Sequence, residues 1–286
     1  MRVVVALGGN AIADERGVEP KSQRRAVERA ALQLADLLAE GHDVVITHGN
    51  GPQVGNLLMK NELARDVVPP VPLDWCVAQT QATIGMLIVT ALEPQLRARG
   101  IDRPVAVVIT RVRVAADDPA WEHPTKPIGW REARRVVPSP EPLEILERPL
   151  IERLLADGEV VVAGGGGGIP MVREDGVLRG VEAVIDKDLT GALLAQVVGA
   201  RCLVMATDVE AAAVAYGTPA QRWLGAIGAA DLRALAAEGH FAGGSMGPKV
   251  EAALRFVGDG GERAAIGSLA RLRAAAEGTS GTQVTP

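Results

Sequence analysis

The chain has 286 residues, enough for one large core or two lobes, and 48% hydrophobic against 23% charged residues marks it as globular rather than disordered. Aromatic residues make up only 2%, which leaves no platform for stacking bases, and a formal net charge of −5 argues against a broad nucleic-acid surface. An anionic ligand must then be captured locally, by helix ends and chosen lysines.

Residues 3–7 are β-branched and aliphatic and end in glycines, the pattern of a buried parallel strand. Val27, Ala30, Ala31, Leu34, Leu37 and Leu38 recur at helical spacing until Gly41 stops the helix. A second strand over 44–47 breaks at His48-Gly49-Asn50-Gly51-Pro52. This is a βαβ opening with a polar glycine loop at each strand's C-terminal end, the edge where open α/β sheets collect ligands. The spacing then predicts a helix over 77–96, a strand over 105–110, a helix over 147–156 and a strand over 160–163 that runs into the five glycines 164–168. A helix over 188–198, a strand over 203–206, helices over 229–237 and 247–257, a strand over 264–266, a helix over 268–276 and a terminal strand over 282–285 complete the chain. Helix and strand alternate throughout, so the expected fold is α/β with a doubly wound, mostly parallel sheet covered on both faces.

Residues 111–142 interrupt this rhythm with six prolines, a basic patch at Arg131, Arg134 and Arg135, and Trp121, Ile128 and Trp130 as something to bury. We read the segment as an inserted, hairpin-rich excursion able to fold over the sheet edge as a lid.

The two cysteines, Cys76 and Cys202, stand far apart among apolar residues and read as buried free thiols of a reducing compartment. No CxxC or His/Cys cluster offers a metal site. Residues 1–7 are too short for a signal-peptide core, and no apolar run approaches bilayer-spanning length, so a soluble, cytoplasmic protein without membrane partners is expected.

Three lysines sit in stiff surroundings: Lys126 in Pro-Thr-Lys-Pro-Ile-Gly, Lys187 in Asp186-Lys187-Asp188, and Lys249 in Gly-Ser-Met-Gly-Pro-Lys. Positioned ammoniums beside glycine loops suit phosphoryl transfer, whose transition state spreads negative charge over several oxygens. Gly8, Gly9 and Asn10 after the first strand, and Gly49, Asn50 and Gly51 after the second, can bring backbone N–H groups close to phosphate oxygens. The first turn carries neither a P-loop nor a dinucleotide fingerprint. The glycine run, Gly166 and Gly167 at its centre, marks close backbone approach or unusual φ. Asp186 is placed to cap a helix, and Asp188 to hold neighbouring lysines by hydrogen bonds. His48 is read as structural ahead of a base. Pro248 fits the first turn of a helix, which sets Lys249 beside free N–H groups. Thr207, Asp208 and Val209 follow a strand, with Tyr216 beyond, and could flank an adenine.

Together these segments resemble the carbamate kinases of the amino acid kinase family. The resemblance runs from Ala6-Leu7-Gly8-Gly9-Asn10-Ala11 to Gly281-Thr282. It is sharpest at His48-Gly49-Asn50-Gly51-Pro52-Gln53-Val54-Gly55, Pro124-Thr125-Lys126-Pro127-Ile128-Gly129, Gly180 through Asp188, and Gly239-His240-Phe241 through Ala253. Relatives such as acetylglutamate kinases carry a lysine before the first Gly-Gly; here that place is Ala6-Leu7, and Lys126 stands where the inserted excursion supplies it. The resemblance implies a three-layer αβα sandwich forming one domain over 1–286 with 111–142 inserted, usually a homodimer. It implies reversible phosphoryl transfer between ATP and carbamate with magnesium, often in arginine or purine-nitrogen breakdown. By position, Gly8, Gly9, Asn10, Gly49, Asn50, Gly51, Gly166 and Gly167 would surround carbamate and the moving phosphoryl group. Lys126, Lys187 and Lys249 would neutralise its oxygens, with Asp188 orienting them. Thr207, Asp208, Val209, Tyr216, Met246, Gly247 and Pro248 would line the nucleotide site. Ala82 departs from the family's usual glycine, and 210–213 is unusually alanine-rich. A kinase for another small carboxylate or phosphonate, and a non-catalytic metabolite sensor, are the alternatives.

Overall fold

The first strand, β1 (Arg2–Leu7), shows how the layers arise. Side chains alternate across a strand, so Val4 and Ala6 join one apolar cluster while Val3, Val5 and Leu7 join another on the opposite face. A strand buried on both faces has no polar side, which is why its sequence reads as an unbroken apolar run. The computed structural model describes residues 1–9, 12, 19–129, 135–241 and 245–286.

The following strands are β2 (Asp43–His48), β3 (Val105–Val107), β4 (Arg111–Arg113), β5 (Lys126–Ile128), β6 (Arg135–Val137), β7 (Glu144–Ile145) and β8 (Val160–Val162). Next come β9 (Ile169–Glu174), β10 (Val177–Gly180), β11 (Cys202–Thr207), β12 (Ala213–Val214), β13 (Arg222–Trp223), β14 (Ala226–Gly228), β15 (Arg263–Ser268) and β16 (Thr282–Thr285). The main sheet has the order β14-β16-β15-β11-β1-β2-β8-β3, with every pairing parallel except β15 with β16. A four-stranded sheet, β10-β9-β4-β7, and the hairpin β5-β6 stand beside it.

The helices are α1 (Pro20–Ala39), α2 (Gly51–Ala64), α3 (Leu73–Ala98), α4 (Arg148–Ala156), α5 (Lys187–Val197), α6 (Ala229–Ala237), α7 (Met246–Gly258) and α8 (Leu272–Glu277). Helices α1, α3 and α8 supply the cluster on one face of the sheet, and α4, α5, α6 and α7 the cluster on the other. This is the expected α/β sheet with helices on both sides. A third cluster, with Val54, Leu73, Cys76, Val77, Ile128 and Val137, ties α2, α3 and the β5-β6 hairpin together.

The structure differs from the sequence reading in a few places. Helix α2 starts inside what reads as a glycine loop: Pro52 holds the φ its first turn needs, and a non-helical Asn50 precedes it. The strand expected over 105–110 stops at Val107, and the chain then leaves the main sheet so that β4 pairs with β9 and β7. Gln81 fixes this exit with both ends of its amide, accepting from Thr110 N at 2.7 Å and donating to Thr110 O at 3.0 Å. Helix α3 corrects the expectation about apolar length. Its 26 residues are long and apolar enough to cross a membrane by length and composition alone, because the polar residues between Asp74 and Glu93 carry no charge. Half of its most apolar stretch is instead buried within the protein, where Gln81 and Thr80 are among the buried residues.

Candidate active site

Parallel pairing brings strand ends to one edge. Leu7 lies beside His48 on one side and Ala206 on the other, so the chain leaving β1, β2 and β11 emerges at a common rim. Gly8 N donates to Ala206 O at 2.9 Å, and Gly49 N to Leu7 O at 3.0 Å. Gly8, Gly9, Gly49, Asn50 and Gly51 all line one cavity of about 270 Å³ together with Lys126, Gly166, Lys187, Thr207, Asp208, Ser245 and Lys249. Asn10 lies outside the described residues, as do Trp130, Arg131 and Arg134.

The three lysines, spread over more than 120 positions of sequence, meet here through two aspartates. Asp188 Oδ2 accepts from Lys187 Nζ at 2.9 Å and from Lys249 Nζ at 3.0 Å. Lys126 Nζ forms an ion pair with Asp186 Oδ2, while Asp186 Oδ1 caps α5 by accepting from Asp188 N at 2.8 Å. Asp186 is thus more than the expected cap: it ties the inserted hairpin to the helix that carries Lys187 and Asp188. The sequence held the signal, an aspartate flanking the lysine, but cap chemistry explained it and the Lys126 contact is 60 residues away.

Burial sets the electrostatics. Side-chain exposure is 33% for Lys126, 14% for Lys187 and 3% for Lys249. Burial by itself would raise the Asp188 carboxyl, but Lys187 and Lys249 outweigh it and hold the group at about 2. Burial pulls Lys249 downward, and the neighbouring Lys187 charge adds to this. Lys187 moves the other way: burial opposes its charge, and Asp188 and Asp186 more than offset that. The second oxygen of Asp188, Oδ1, is buried without a hydrogen-bond partner among the described residues.

The glycine run braces this wall. Gly164 N donates to Thr110 Oγ1, Thr47 Oγ1 donates to Gly164 O, and Thr190 Oγ1 to Gly167 O, each at 2.8–2.9 Å. Gly166 has φ of 65°, and a Cβ there would overlap the Asn50 side-chain amide, so only glycine leaves Asn50 its place. Asn50 Nδ2 donates to Thr80 Oγ1 at 2.9 Å. Gly167 is not among the described lining residues, and a Cβ on it would overlap the Ile185 carbonyl, so packing alone already requires glycine there. His48 is fully buried with Nδ1 against Gly49 O at 2.9 Å, and burial pulls it down to about 4. It is neutral at pH 7 and bonded to the backbone, which makes it structural.

A second cavity of about 290 Å³ adjoins the first through Thr207, Asp208 and Ser245, which line both. Val209, Tyr216 and Met246 also line it, with Ala213, His240 and Phe241. Gly247 and Pro248 are not among its described lining residues; they build the first turn of α7, where a Cβ on Gly247 would stand 2.9 Å from Phe241 O. Ser245, placed at the junction, was not singled out from the sequence, since a serine in a glycine-rich turn carries no distinguishing signal. Gly243 and Gly244 lie outside the described residues.

A cavity rimmed by three ammoniums and backbone glycines, adjoining a second, partly apolar one of similar volume, defines a phosphoryl-transfer enzyme that takes a small acceptor beside a nucleotide. Comparison with known proteins gives the family. The amino acid kinase family model matches residues 1–268. The carbamate kinase of Thermococcus kodakarensis is 47% identical, with 99% of this chain and 98% of that protein covered, and the carbamate kinase of Pyrococcus horikoshii is 44% identical over 100% and 99%. The structure of Giardia lamblia carbamate kinase bound to AMP-PNP superposes with a TM-score of 0.94 at 38% identity, covering 99% of this chain and 98% of that one. The chain belongs to the amino acid kinase family, on its carbamate kinase branch.

Proposed function

We propose that this protein is an ATP-dependent carbamate kinase that transfers a phosphoryl group reversibly between ATP and carbamate. The observation that carries the reading is the convergence of Lys126, Lys187 and Lys249 around one cavity of about 270 Å³, held by Asp186 and Asp188. Full-length similarity to carbamate kinases, one of them bound to AMP-PNP, supports the same substrates.

In the forward direction a carbamate oxygen attacks the γ-phosphorus, the bond from phosphorus to the β,γ-bridging oxygen breaks, and ADP leaves with that electron pair. Carbamate is already an anion, so no general base is needed, in keeping with a neutral His48 whose Nδ1 is engaged by Gly49 O. Catalysis then rests on positioning and on charge placed in advance. Gly8, Gly9, Gly49, Asn50, Gly51 and Gly166 frame the acceptor and the transferring group; Lys126, Lys187 and Lys249 balance the equatorial oxygens; Asp188 aims two of the lysines. Thr207, Asp208, Val209, Tyr216 and Met246 receive the nucleotide, and residues 111–142 act as an inserted subdomain that brings Lys126 over the rim.

Among the described residues no group of three His, Cys, Asp or Glu could hold a metal ion. Magnesium would accompany the nucleotide phosphates, with Asp208, which lines both cavities, a carboxylate able to serve it. When bound, it supplies neutralisation of the polyphosphate charge. A cytoplasmic homodimer working in arginine-type nitrogen breakdown completes the proposal.

The test is ADP-dependent ATP formation from carbamoyl phosphate, run beside acetyl phosphate and other acyl phosphates. Turnover that favours carbamoyl phosphate is expected. Preference for another acyl phosphate would move the assignment to a different small carboxylate, and nucleotide binding without any turnover would leave a sensor.

A further inference from the structure

Lys126 reaches the site on a two-stranded hairpin that belongs to neither large sheet, so something must fix where that hairpin sits. The contact that does so is a backbone-on-backbone approach between two glycines. A Cβ on Gly55, in the second turn of α2, would overlap the Gly129 Cα and N and stand 3.3 Å from its carbonyl carbon. Gly129 directly follows β5, three residues after Lys126, and its N–H donates to Gly51 O in the first turn of the same helix at 3.3 Å. Beside this contact Ile128 is buried against the apolar cluster that contains Val54, Leu73 and Val77. Helix α2 therefore carries the acceptor-side glycine loop at its N-terminus and seats the Lys126 hairpin one turn later.

We propose that Gly55 is a positioning residue for phosphoryl transfer: the bare helix surface at Gly55 lets the hairpin lie flush on α2, which puts the Lys126 ammonium at Asp186 and over the reacting group. This rests on the kinase reading above. Glycine is a poor choice for a helix interior, about 1 kcal/mol less favourable than alanine. Its presence in a buried turn of α2 is accounted for by the hairpin and not by the helix. A single methyl group at this position strengthens the helix and pushes the hairpin outward, and displacement on the order of 1 Å at a reacting centre lowers turnover roughly 100-fold.

Gly55→Ala separates this from a general packing role. In the ATP-forming assay kcat should fall roughly 100-fold, with the KM for ADP unchanged and the folded circular-dichroism spectrum retained. Lys126→Ala should show a similar loss, and the double variant should be no worse than Lys126→Ala alone. Hydrogen exchange at the Gly129 amide should be faster in Gly55→Ala, because its bond to Gly51 O is stretched. Wild-type kcat in Gly55→Ala, or a further loss when it is added to Lys126→Ala, would overturn the proposal; the second result would locate the damage in the acceptor loop. If the wild-type protein shows no kinase activity, the functional reading fails first, and unchanged exchange at Gly129 would then independently sink the seating claim.

Discussion

The two adjoining cavities are built on opposite principles. Around the phosphoryl site every charged group is anchored: Lys187 and Lys249 share one carboxylate oxygen, Lys126 takes a second aspartate, and the glycine wall is braced by Thr47, Thr110 and Thr190. The adjoining cavity mixes apolar walls at Val209, Ala213, Phe241 and Met246 with polar ones at Thr207, Asp208, His240 and Ser245, and Tyr216, which also lines it, is 63% exposed with its ring edge-on to Trp223 at 6.1 Å. The difference follows the chemistry. On the proposed assignment charge moves only in the first cavity, and only interactions that strengthen in the transition state accelerate the step. On the same assignment the nucleotide sits in the second cavity, where binding contributes equally before and during transfer, so fewer anchored contacts suffice there.

This contrast is testable at three levels. Lys249→Met, which keeps the buried stem and leaves Asp188 paired with Lys187, should lower kcat roughly 10²–10³-fold, the range for removing one pre-placed transition-state donor, with little change in nucleotide affinity. A variant with near-normal kcat would show that the anchored side is not where catalysis resides. Meeting Lys249 almost fully buried also changes what alanine would do at this position: Lys249→Ala would leave a hole beside a buried carboxylate and disturb the fold, whereas Lys126→Ala, at a more exposed side chain, should not.

The next effect concerns stability rather than turnover. His48 titrates at about 4 in the folded chain against 6.5 ordinarily, so between those values the unfolded chain binds the extra proton. Stability from this group is full above pH 6.5 and is lost as pH falls toward 4, by about 3 kcal/mol in total. Denaturant unfolding across pH 7 to 4 should show the decline, and His48→Asn should flatten it. An equally steep decline in the variant would mean the slope arises elsewhere. Asp188, held at about 2, adds its own loss only below pH 4.

The smallest effect belongs to the open cavity. Tyr216→Ala should raise the KM for ATP or ADP less than 10-fold and leave kcat within about two-fold, since an exposed ring adds on the order of 1 kcal/mol of uniform binding. A kcat loss comparable to that of Lys249→Met would erase the distinction between the two cavities.

Helix and strand order was readable because burial on one or both faces imposes a period, and β1, α6 and β16 fall where the periods put them. Helix α2 was hidden because its first turn is made of glycine and proline, residues that read as a loop unless something tertiary supports the helix. The site lysines were visible through their rigid neighbours, and the pairing of Asp188 with two lysines follows from that cluster. Asp186 to Lys126, Ser245 at the cavity junction and Gly55 against Gly129 were not visible, because each joins segments with no shared local signal.

The sequence alone determined the alternation of helices and strands, the placing of glycine loops at strand ends, and the three ammonium groups themselves, because these depend on local periodicity, backbone freedom and side-chain chemistry. Only the tertiary structure decided that parallel pairing of β1, β2 and β11 gathers those loops at one rim, and that Asp186 and Asp188 draw lysines from three distant segments into one cavity. Distances between such segments are set by how layers pack, which no local pattern encodes.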